Sequence, residues 1–454
     1  MKRLLLALLA ITFLPAHALE LQPKAEYRAR RAALADKLHG GVAILFAADE
    51  AQLDLMPYRQ DEDFFYLTGW TEPGAALIIL APTMAAPSPM AGVPAREAQP
   101  YREILLLPTR NRRLELYTGV KLDAATPNAA SIAGFDEVAA LTELPAILNA
   151  AAANNRGRMQ ALYGELDAAH TLAVTAFTAA TLGIGQAPAL RDVHPFINTL
   201  RAIKSPAEIE LLRKASDASI AGHLAGMRAI RPGVRERTVA GAEIAAFMAA
   251  GCERPSYAPI VGAGVNSTTL HYSSNDAIMH SGDIVVIDEA CEYSMYASDI
   301  TRTMPVNGHF TPRQLEIYNI VLGAQRAAID AFVAGKSRIG GASMRGPDVN
   351  DSLDKVAFDY INTHGKDLHG APLGKYFIHG VGHSVGINVH DGLASGDALL
   401  PGMVFTIEPG IYIPEEKLGV RIEDTFYVAA DGKLVNLGAS LPHEAADIEA
   451  AMSH

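Results

Sequence analysis

Two strand-like runs joined by a short connection make up the stretch Ile284-Val-Val-Ile-Asp-Glu-Ala-Cys-Glu-Tyr-Ser-Met-Tyr-Ala-Ser-Asp-Ile-Thr-Arg-Thr303. The first run is apolar and ends at Asp288, and the second run contains Asp299. Apolar runs of this length with polar boundaries are typical of strands that a core buries. A hairpin with so short a connection returns the two aspartates to one place. The stretch therefore predicts paired strands that carry two neighbouring carboxylates.

Two further candidates, Glu408 and His383, lie where regular structure is interrupted. Glu408 follows the apolar run Val404-Phe-Thr-Ile407 and precedes a Pro-Gly pair, which predicts a strand that stops at a turn. His383 belongs to the segment His379-Gly-Val-Gly-His-Ser-Val-Gly-Ile-Asn-Val-His-Asp391. Its spacing from His379 matches a helical zinc pair, but no glutamate follows His379 and the glycines argue against a regular helix. The segment does not predict a zinc-binding helix.

The segment Gly419-Val-Arg-Ile-Glu-Asp424 carries a fifth candidate, Glu423. Side chains two positions apart on a strand point to the same face, so Arg421 accompanies Glu423. Val420 and Ile422 then point to the opposite face. Because an arginine beside a metal-binding carboxylate can orient it, Arg421 is predicted to support the acidic site.

Together, the four carboxylates and one imidazole predict a site for two metal ions. Buried together without countercharge, these groups would repel one another and lose their hydration. Two divalent cations would balance the four negative charges and activate a water for hydrolysis. One aspartate at a strand end is usually only a turn or cap residue, but the joint occurrence favours ligands. The predicted metal ligands are Asp288, Asp299, His383, Glu408 and Glu423.

Five segments around these residues resemble, in order, the metal motifs of the pita-bread metallopeptidases, and most closely those of aminopeptidase P. They are Ile287-Asp-Glu-Ala-Cys-Glu-Tyr293, Ser298-Asp-Ile-Thr-Arg-Thr303, His379-Gly-Val-Gly-His383, Thr406-Ile-Glu-Pro-Gly-Ile-Tyr412 and Val420-Arg-Ile-Glu-Asp424. In the amino half, Tyr58-Arg-Gln-Asp-Glu-Asp-Phe-Phe-Tyr-Leu-Thr-Gly-Trp70 is similar to the signature of that family's amino-terminal domain. The resemblance implies an Xaa-Pro aminopeptidase, a metalloexopeptidase whose substrate is a peptide with proline in second position.

The resemblance also implies how the ligands share two cations. Asp299 and Glu423 would bridge them, Asp288 would bind one, and His383 with Glu408 would bind the other. Oxygen-rich ligation with one imidazole favours Mn²⁺, with Zn²⁺, Co²⁺ and Fe²⁺ as alternatives. Glu408 is in addition the predicted proton acceptor from the attacking water.

Three histidines are predicted to contact the substrate. The resemblance implies that His271 and His390 hydrogen-bond the peptide and the developing oxyanion, and that His379 meets the proline side. Their local sequences alone are equally compatible with ordinary polar loop histidines. The predicted catalytic residues are Glu408, His271, His379, His390 and Arg421.

Three alternatives to an aminopeptidase share this fold. A prolidase uses nearly the same ligands but cuts only Xaa-Pro dipeptides, closing the far end of its cleft around a free carboxylate. The loop Asp391-Gly-Leu-Ala-Ser-Gly-Asp-Ala-Leu-Leu-Pro401 is short and contains no arginine, which favours an open cleft. The chain departs from the family at Ala290, where the family has glycine, but this change removes no predicted ligand. A creatinase-type hydrolase or a non-catalytic peptide-binding protein would have lost the carboxylates.

The length of 454 residues predicts two domains, since it exceeds what one core usually organises. The predicted division is a signal peptide at 1–18, an aminopeptidase P amino-terminal domain at 19–198 and a catalytic domain at 199–454. By resemblance the fold class is α/β (α+β), with an amino-terminal α/β domain before a pita-bread domain. That second domain would have a pseudo-duplicated antiparallel sheet and flanking helices.

Several elements can be predicted from local patterns. Apolar runs predict strands at 41–46, 64–67, 75–80 and 103–107, and a helix at 138–153. The segments Ser205-Pro-Ala-Glu208 and Thr311-Pro-Arg-Gln314 have the capping-box arrangement that starts a helix. The prolines in 82–100 predict an exposed insertion, and the Gly and Ser residues in 335–350 predict a surface loop.

Charge and the amino terminus bear on partners and location. A net charge of −12 argues against nucleic acid as a partner. Lys2 and Arg3, an apolar run at 4–14 and Ala16-His-Ala18 have the arrangement of a secretory signal peptide. The run is shorter than the roughly 20 residues of a membrane span, so export to a periplasm or secretion is expected, without a membrane anchor. The sequence is compatible with a homo-oligomer and does not determine the oligomeric state.

The two cysteines, Cys252 and Cys291, are too few for a disulfide scaffold. The sequence leaves their pairing open. Because Cys291 lies three residues after Asp288, it is expected to pack as a small apolar residue beneath the site.

Overall fold

The computed structural model describes residues 19–49, 57–85, 98–154, 162–165, 190–393 and 396–452. The predicted signal peptide and most of the proline-rich insertion lie outside these residues. None of the described helices combines the length and the apolar composition needed to cross a membrane.

The amino-terminal part is built on a six-stranded mixed sheet of order β4-β3-β2-β1-β5-β6. Its strands are β1 (Val42–Phe46), β2 (Ala76–Leu80), β3 (Arg102–Leu107), β4 (Glu137–Ala140), β5 (Leu162–Gly164) and β6 (Leu190–Asp192). Its helices are α1 (Lys24–Lys37), α2 (Glu62–Thr68), α3 (Glu115–Thr118), α4 (Ala129–Ala133) and α5 (Leu144–Asn154). β1, β2 and β3 pair antiparallel, whereas β4, β5 and β6 join in parallel. The strands predicted at 41–46, 75–80 and 103–107 are therefore present.

The strand predicted at 64–67 is wrong, because these residues form helix α2. Asp61 caps the helix by accepting a hydrogen bond from the backbone N–H of Phe64, and Gly69 ends it in the left-handed region at φ 63°. Every residue from Asp63 to Thr68 is buried. A helix that is covered on all sides has no amphipathic period, so its apolar run reads like a strand.

The helix predicted at 138–153 begins later than expected. Its first residues belong to β4, which pairs in parallel with β3 over Glu137–Ala140, and a 3₁₀ turn at Leu141–Glu143 leads into α5. Pairing at the sheet edge overrides the helical preference of these alanines, since helix propensity is only a weak local bias.

The carboxyl-terminal part contains antiparallel sheets backed by helices. Its helices are α6 (His194–Arg201), α7 (Pro206–Ala229), α8 (Glu236–Ala249), α9 (Pro312–Asp330), α10 (Leu353–His364) and α11 (Ala445–Met452). Its strands are β7 (Arg254–Pro255), β8 (Ile260–Ala263), β9 (Ile284–Asp288), β10 (Cys291–Tyr293), β11 (Tyr296–Ala297), β12 (Thr301–Pro305), β13 (Val404–Ile407), β14 (Gly410–Ile413), β15 (Leu418–Arg421), β16 (Asp424–Val428) and β17 (Leu434–Asn436). The predicted boundary between 198 and 199 falls within α6.

Two similar halves meet at the centre of this part. Strands β12-β9-β8 form one three-stranded sheet and β13-β16-β17 form another, and an antiparallel bridge connects Thr301 of β12 with Glu423, the residue before β16. Helices α7 and α8 pack together in the first half, as α9 and α10 do in the second. Both predicted capping boxes are present, at Ser205 before α7 and at Thr311 before α9.

The predicted hairpin is more elaborate in the structure. β9 and β12 do pair antiparallel, with Thr301 opposite Asp288, but the connection makes its own small hairpin from β10 and β11. Ser294 and Met295 both have positive φ, 51° and 73°, which suits the tight turn of a two-residue hairpin. Asp299 therefore lies in the segment that leads into β12, not within a strand.

The two cysteines form a disulfide, Cys252–Cys291, which corrects the expectation that Cys291 packs as an unbonded residue. Their Cα atoms are 6.1 Å apart, within the range that a disulfide requires. The apolar surroundings are as expected, since the pair packs with Ala218 and Phe247.

Candidate metal centre

All five predicted ligands line one cavity of about 530 Å³ where the two halves meet. They reach it from the end of β9, the entry to β12, the glycine-rich segment before β13, the end of β13 and the connection between β15 and β16. Stretches that are far apart in sequence thus deliver their acidic side chains to one place. The ligands in that order are Asp288, Asp299, His383, Glu408 and Glu423.

The centre of the cluster is formed by Asp299, His383 and Glu423. One ligand atom from each residue lies within 4.8 Å of the other two. His383 Nε2 is 3.3 Å from Asp299 Oδ2 and 3.4 Å from Glu408 Oε1. These spacings fit the geometry of side chains that share a metal ion.

The fit to a cation is supported by an unsatisfied oxygen. Glu423 is 1% exposed, and its Oε2 accepts a hydrogen bond of 2.5 Å from the Thr301 hydroxyl. Its Oε1 is buried and has no hydrogen-bond partner within the described part of the chain. A buried carboxylate oxygen without a hydrogen-bond partner destabilises the folded state unless a cation or a hydrogen-bond donor contacts it.

The electrostatics of the cluster favour extra positive charge. Burial raises the pKa of Glu408 to about 7, against an opposing effect of His383, and raises the pKa of Glu423 well above its usual value. Burial lowers the pKa of His383, but Asp299 and Glu408 outweigh burial and raise it to about 9. The carboxylates thus hold protons that divalent cations would displace, so metal and proton binding compete here.

Tyr257 and Arg421 orient the aspartates. The Tyr257 hydroxyl lies 2.6 Å from Asp288 Oδ1 and 2.7 Å from Asp299 Oδ1, while Arg421 Nη2 donates to Asp288 Oδ2 at 2.6 Å. Arg421 thus hydrogen-bonds one of the predicted ligands. Tyr257 was not predicted, because no local pattern marks a tyrosine outside a strand.

Tyr412 links Arg421 to His379. Arg421 Nη1 donates to the Tyr412 hydroxyl at 2.9 Å, and this hydroxyl is 2.7 Å from His379 Nε2. Burial, with a further contribution from Arg421, lowers the pKa of His379 to about 3. Since the neutral ring places its proton on Nδ1, toward the Gly380 carbonyl at 2.8 Å, Nε2 accepts from Tyr412.

The other two predicted histidines lie at the more open side of the cavity. His271 and His390 both line the cavity and are exposed. The rings of His390 and His383 meet edge to face with centroids 4.2 Å apart. Burial and the neighbouring His383 lower the pKa of His390, which favours a neutral ring that can hydrogen-bond a peptide.

His223, also not predicted from the sequence, supports both aspartates from behind. It is fully buried on α7, and its Nε2 is 2.9 Å from the Glu289 carbonyl and 3.1 Å from the Ile300 carbonyl. Glu289 directly follows Asp288, and Ile300 directly follows Asp299. Burial lowers the pKa of His223 to about 3, so a neutral ring donates from Nε2 and fixes both segments.

Close backbone contacts explain two features of the cavity wall. A Cβ added to Gly382 would lie 2.0 Å from the Thr406 carbonyl oxygen, so only glycine fits beside His383. The region predicted as a surface loop at 335–350 contains a 3₁₀ turn, Gly341–Arg345, and its Gly341 lines the cavity. Arg345 anchors this turn by donating to the carbonyls of Phe377 and His379.

Comparison with known proteins identifies the family. The sequence matches "Metallopeptidase family M24" over residues 210–430 and "Aminopeptidase P, N-terminal domain" over residues 27–160. It is 33% identical to an Xaa-Pro aminopeptidase of Haemophilus influenzae, across 95% of this chain and 98% of that protein. It is 34% identical to an Xaa-Pro aminopeptidase of Escherichia coli, across 94% and 97% respectively.

The fold agrees with these matches. The structure of proline aminopeptidase P II from Yersinia pestis has a TM-score of 0.78 to this structure at 33% identity, covering 95% of this chain and 99% of that one. The predicted fold class, an α/β domain followed by a pita-bread domain, is confirmed. The chain belongs to metallopeptidase family M24 and, within it, to the aminopeptidase P group.

Proposed function

We propose that this chain is an exported Xaa-Pro aminopeptidase that uses two divalent metal ions, Mn²⁺ being the first choice. The observation that carries the proposal is the convergence of four carboxylates and one imidazole on the floor of a peptide-sized cavity. The names of the full-length relatives support the substrate class, because both are Xaa-Pro aminopeptidases.

Metal ions at this site would polarise the scissile carbonyl and lower the pKa of a water molecule. The residues that would hold the two cations are Asp288, Asp299, His383, Glu408 and Glu423. This set of hard oxygen donors with one imidazole favours Mn²⁺, while Zn²⁺, Co²⁺ and Fe²⁺ are also accommodated.

Glu408 is the group that accepts the proton of the attacking water. In the metal-free cluster, burial raises its pKa to about 7, so this buried carboxylate has a strong tendency to take up a proton. Its Oε2 is 3.8 Å from His379 Nδ1, so the proton acceptor and the histidine on the proline side are adjacent. His271 and His390, from the cavity wall, would hydrogen-bond the peptide and the developing oxyanion.

An open cleft favours the aminopeptidase over the dipeptidase. Arg421 is the only lysine or arginine among the described residues that line the cavity, and Asp288 and Tyr412 already engage it. Lys204 and Arg201, behind the shortened loop, are bound to Asp391. A free carboxylate after proline would therefore meet no available cation within the described part of the cavity, whereas a longer peptide does not need one.

A substrate panel tests this proposal. With added Mn²⁺, the purified protein should release the first residue from Xaa-Pro-Xaa tripeptides and longer Xaa-Pro peptides. Matched peptides with alanine in second position should react roughly 10²-fold more slowly, because they lack the ring that the site selects. Cleavage of Xaa-Pro dipeptides with longer peptides left intact would replace the aminopeptidase by a prolidase.

Export is proposed on two observations. Residues 1–18 have the arrangement of a signal peptide, and the disulfide Cys252–Cys291 suits an oxidising compartment. Mass spectrometry of the protein from its native cells should find a mature chain that begins after Ala18, in the periplasmic or secreted fraction. A full-length chain in the cytosol would contradict export.

A further inference from the structure

A second cluster of metal-binding side chains lies where the amino-terminal sheet meets α6, and none of its members is a residue that the proposed reaction uses. It consists of Asp63 on α2, Glu165 directly after β5, and His194 at the start of α6. One ligand atom from each residue lies within 4.8 Å of the other two. Asp63 and His194 also line a separate cavity of about 910 Å³, which gives an ion a route to the cluster.

Asp63 presents an oxygen that no donor meets. The residue is 3% exposed, and its Oδ1 accepts a hydrogen bond of 2.6 Å from Arg201 Nη1. Its Oδ2 is buried, has no hydrogen-bond partner among the residues that the structure describes, and lies 3.7 Å from His194 Nε2. Asp288 has a similar arrangement at the predicted metal centre, where one of its oxygens is bound by the guanidinium of Arg421.

His194 is held in the orientation of a metal ligand. Its Nδ1 lies 2.7 Å from Asp192 Oδ1, so this nitrogen carries the proton and donates to the carboxylate. The other ring nitrogen, Nε2, lies on the side of Asp63. A carboxylate that orients a histidine through its other nitrogen is a frequent companion of metal ligation, because it fixes the tautomer and makes the ligand more basic.

Acidic side chains are concentrated around the cluster. Arg201 contacts the carboxylates of Asp63, Glu62 and Asp391, of which Glu62 also meets Arg59 and Asp391 also meets Lys204. Glu165 adds a further carboxylate and is 3% exposed.

We propose that Asp63, Glu165 and His194 bind one divalent transition-metal ion of the Zn²⁺ class. Two carboxylates and one imidazole are a ligand set that such ions accept, with water completing the coordination. The ion would tie α2, the end of β5 and the start of α6 together.

Metal counting on the full chain tests the proposal. After chelation and reloading with Zn²⁺, the wild-type protein should hold one more ion per chain than His194→Gln. His280→Gln is the matched control, since this exposed histidine also has an acidic neighbour, Asp283 at 3.5 Å, and should not change the count. Peptide turnover should differ less than roughly twofold among the three proteins, because neither histidine touches the catalytic cavity.

Crystals of the wild-type protein in Zn²⁺ give a readout that does not depend on the variant folding. Anomalous scattering should show a peak between Asp63, Glu165 and His194. As a second variant, Asp192→Asn should weaken this ion roughly 10- to 100-fold while keeping the ligands. Equal metal content in wild type and His194→Gln, or no anomalous peak at this position, would overturn the assignment. Neither result would bear on the peptidase activity, which the substrate panel measures separately.

Discussion

Asp299→Asn is expected to abolish peptide hydrolysis and to reduce the metal content below two ions per chain. Asp299 is 5% exposed, and its carboxylate lies at the centre of the cluster with His383 and Glu423. An amide keeps the shape but loses the charge and one of the two oxygens that bridging requires. Removing a supporting group around a metal typically costs 10- to 100-fold, so the loss of a ligand should reduce kcat/KM by roughly 10³-fold or more.

The same substitution should have opposite effects on stability with and without metal. After burial, the charge of Asp299 is the next cause of the raised pKa of Glu423. The two carboxyl groups therefore repel each other in the metal-free protein. Asp299→Asn should therefore raise the melting temperature of the chelated protein and lower the stabilisation gained on adding Mn²⁺. Asp283→Asn, which alters an aspartate outside the cavity, is the control. Full activity with two ions bound in Asp299→Asn would rule out the dinuclear centre.

Sequence patterns predict the parts of this structure that depend on neighbouring residues. The cap residues Ser205 and Thr311 start α7 and α9 as predicted, because a capping box is contained within four residues. Arg421 and Glu423 share the cavity face while Val420 and Ile422 are fully buried, as the two-residue period of a strand requires. Local patterns of this kind marked the candidate ligands one by one, and the structure places all five in one cavity.

Contacts between distant residues could not be predicted in the same way. Tyr257 reaches Asp288 and Asp299 across 31 and 42 positions, and His223 reaches the carbonyl of Glu289 across 66. Nothing near these residues in sequence distinguishes them from ordinary buried side chains. The disulfide, with a separation of 39 residues, depends in the same way on the pairing of β10 with β7, which begins two residues after Cys252.

The error at α2 has a different physical origin. Phe64, Phe65, Tyr66 and Leu67 are all at most 4% exposed, since α2 lies between the amino-terminal sheet and the catalytic part. A helix buried on every side presents an uninterrupted apolar run, and β-branched or aromatic content then favours a strand. The capping aspartate, Asp61, and the glycine at position 69 both indicate a helix. The prediction gave more weight to the run of aromatic residues between them.

Arg421→Met is expected to destabilise the protein by about 3–5 kcal/mol, the cost of leaving a buried charge without its partner. The Arg421 side chain is 4% exposed and donates to Asp288, Tyr412 and, at 3.2 Å, the Thr301 hydroxyl. Arg421→Lys should recover only part of the loss, because a single ammonium cannot reach all these partners as a guanidinium does. Urea unfolding of the chelated, metal-free protein measures both effects.

A control separates the buried pair from ion pairing in general. Arg326→Met removes an exposed pair with Glu444, whose side chains are 51% and 45% exposed, and should cost at most about 1 kcal/mol. If Arg421→Met were no more destabilising than this surface variant, the guanidinium would not be needed to compensate Asp288.

Kinetics then show whether Arg421 acts on the reaction or only on the fold. Its charge helps to lower the pKa of His379 to about 3, after the larger effect of burial. Without that charge the His379 pKa should rise, so the imidazole would become protonated at a higher pH than in the wild type. The acidic limb of the kcat/KM profile should move to higher pH in Arg421→Met but not in Arg326→Met. Since a merely structural loss would lower activity equally at every pH, an unshifted limb would confine Arg421 to holding Asp288 in place.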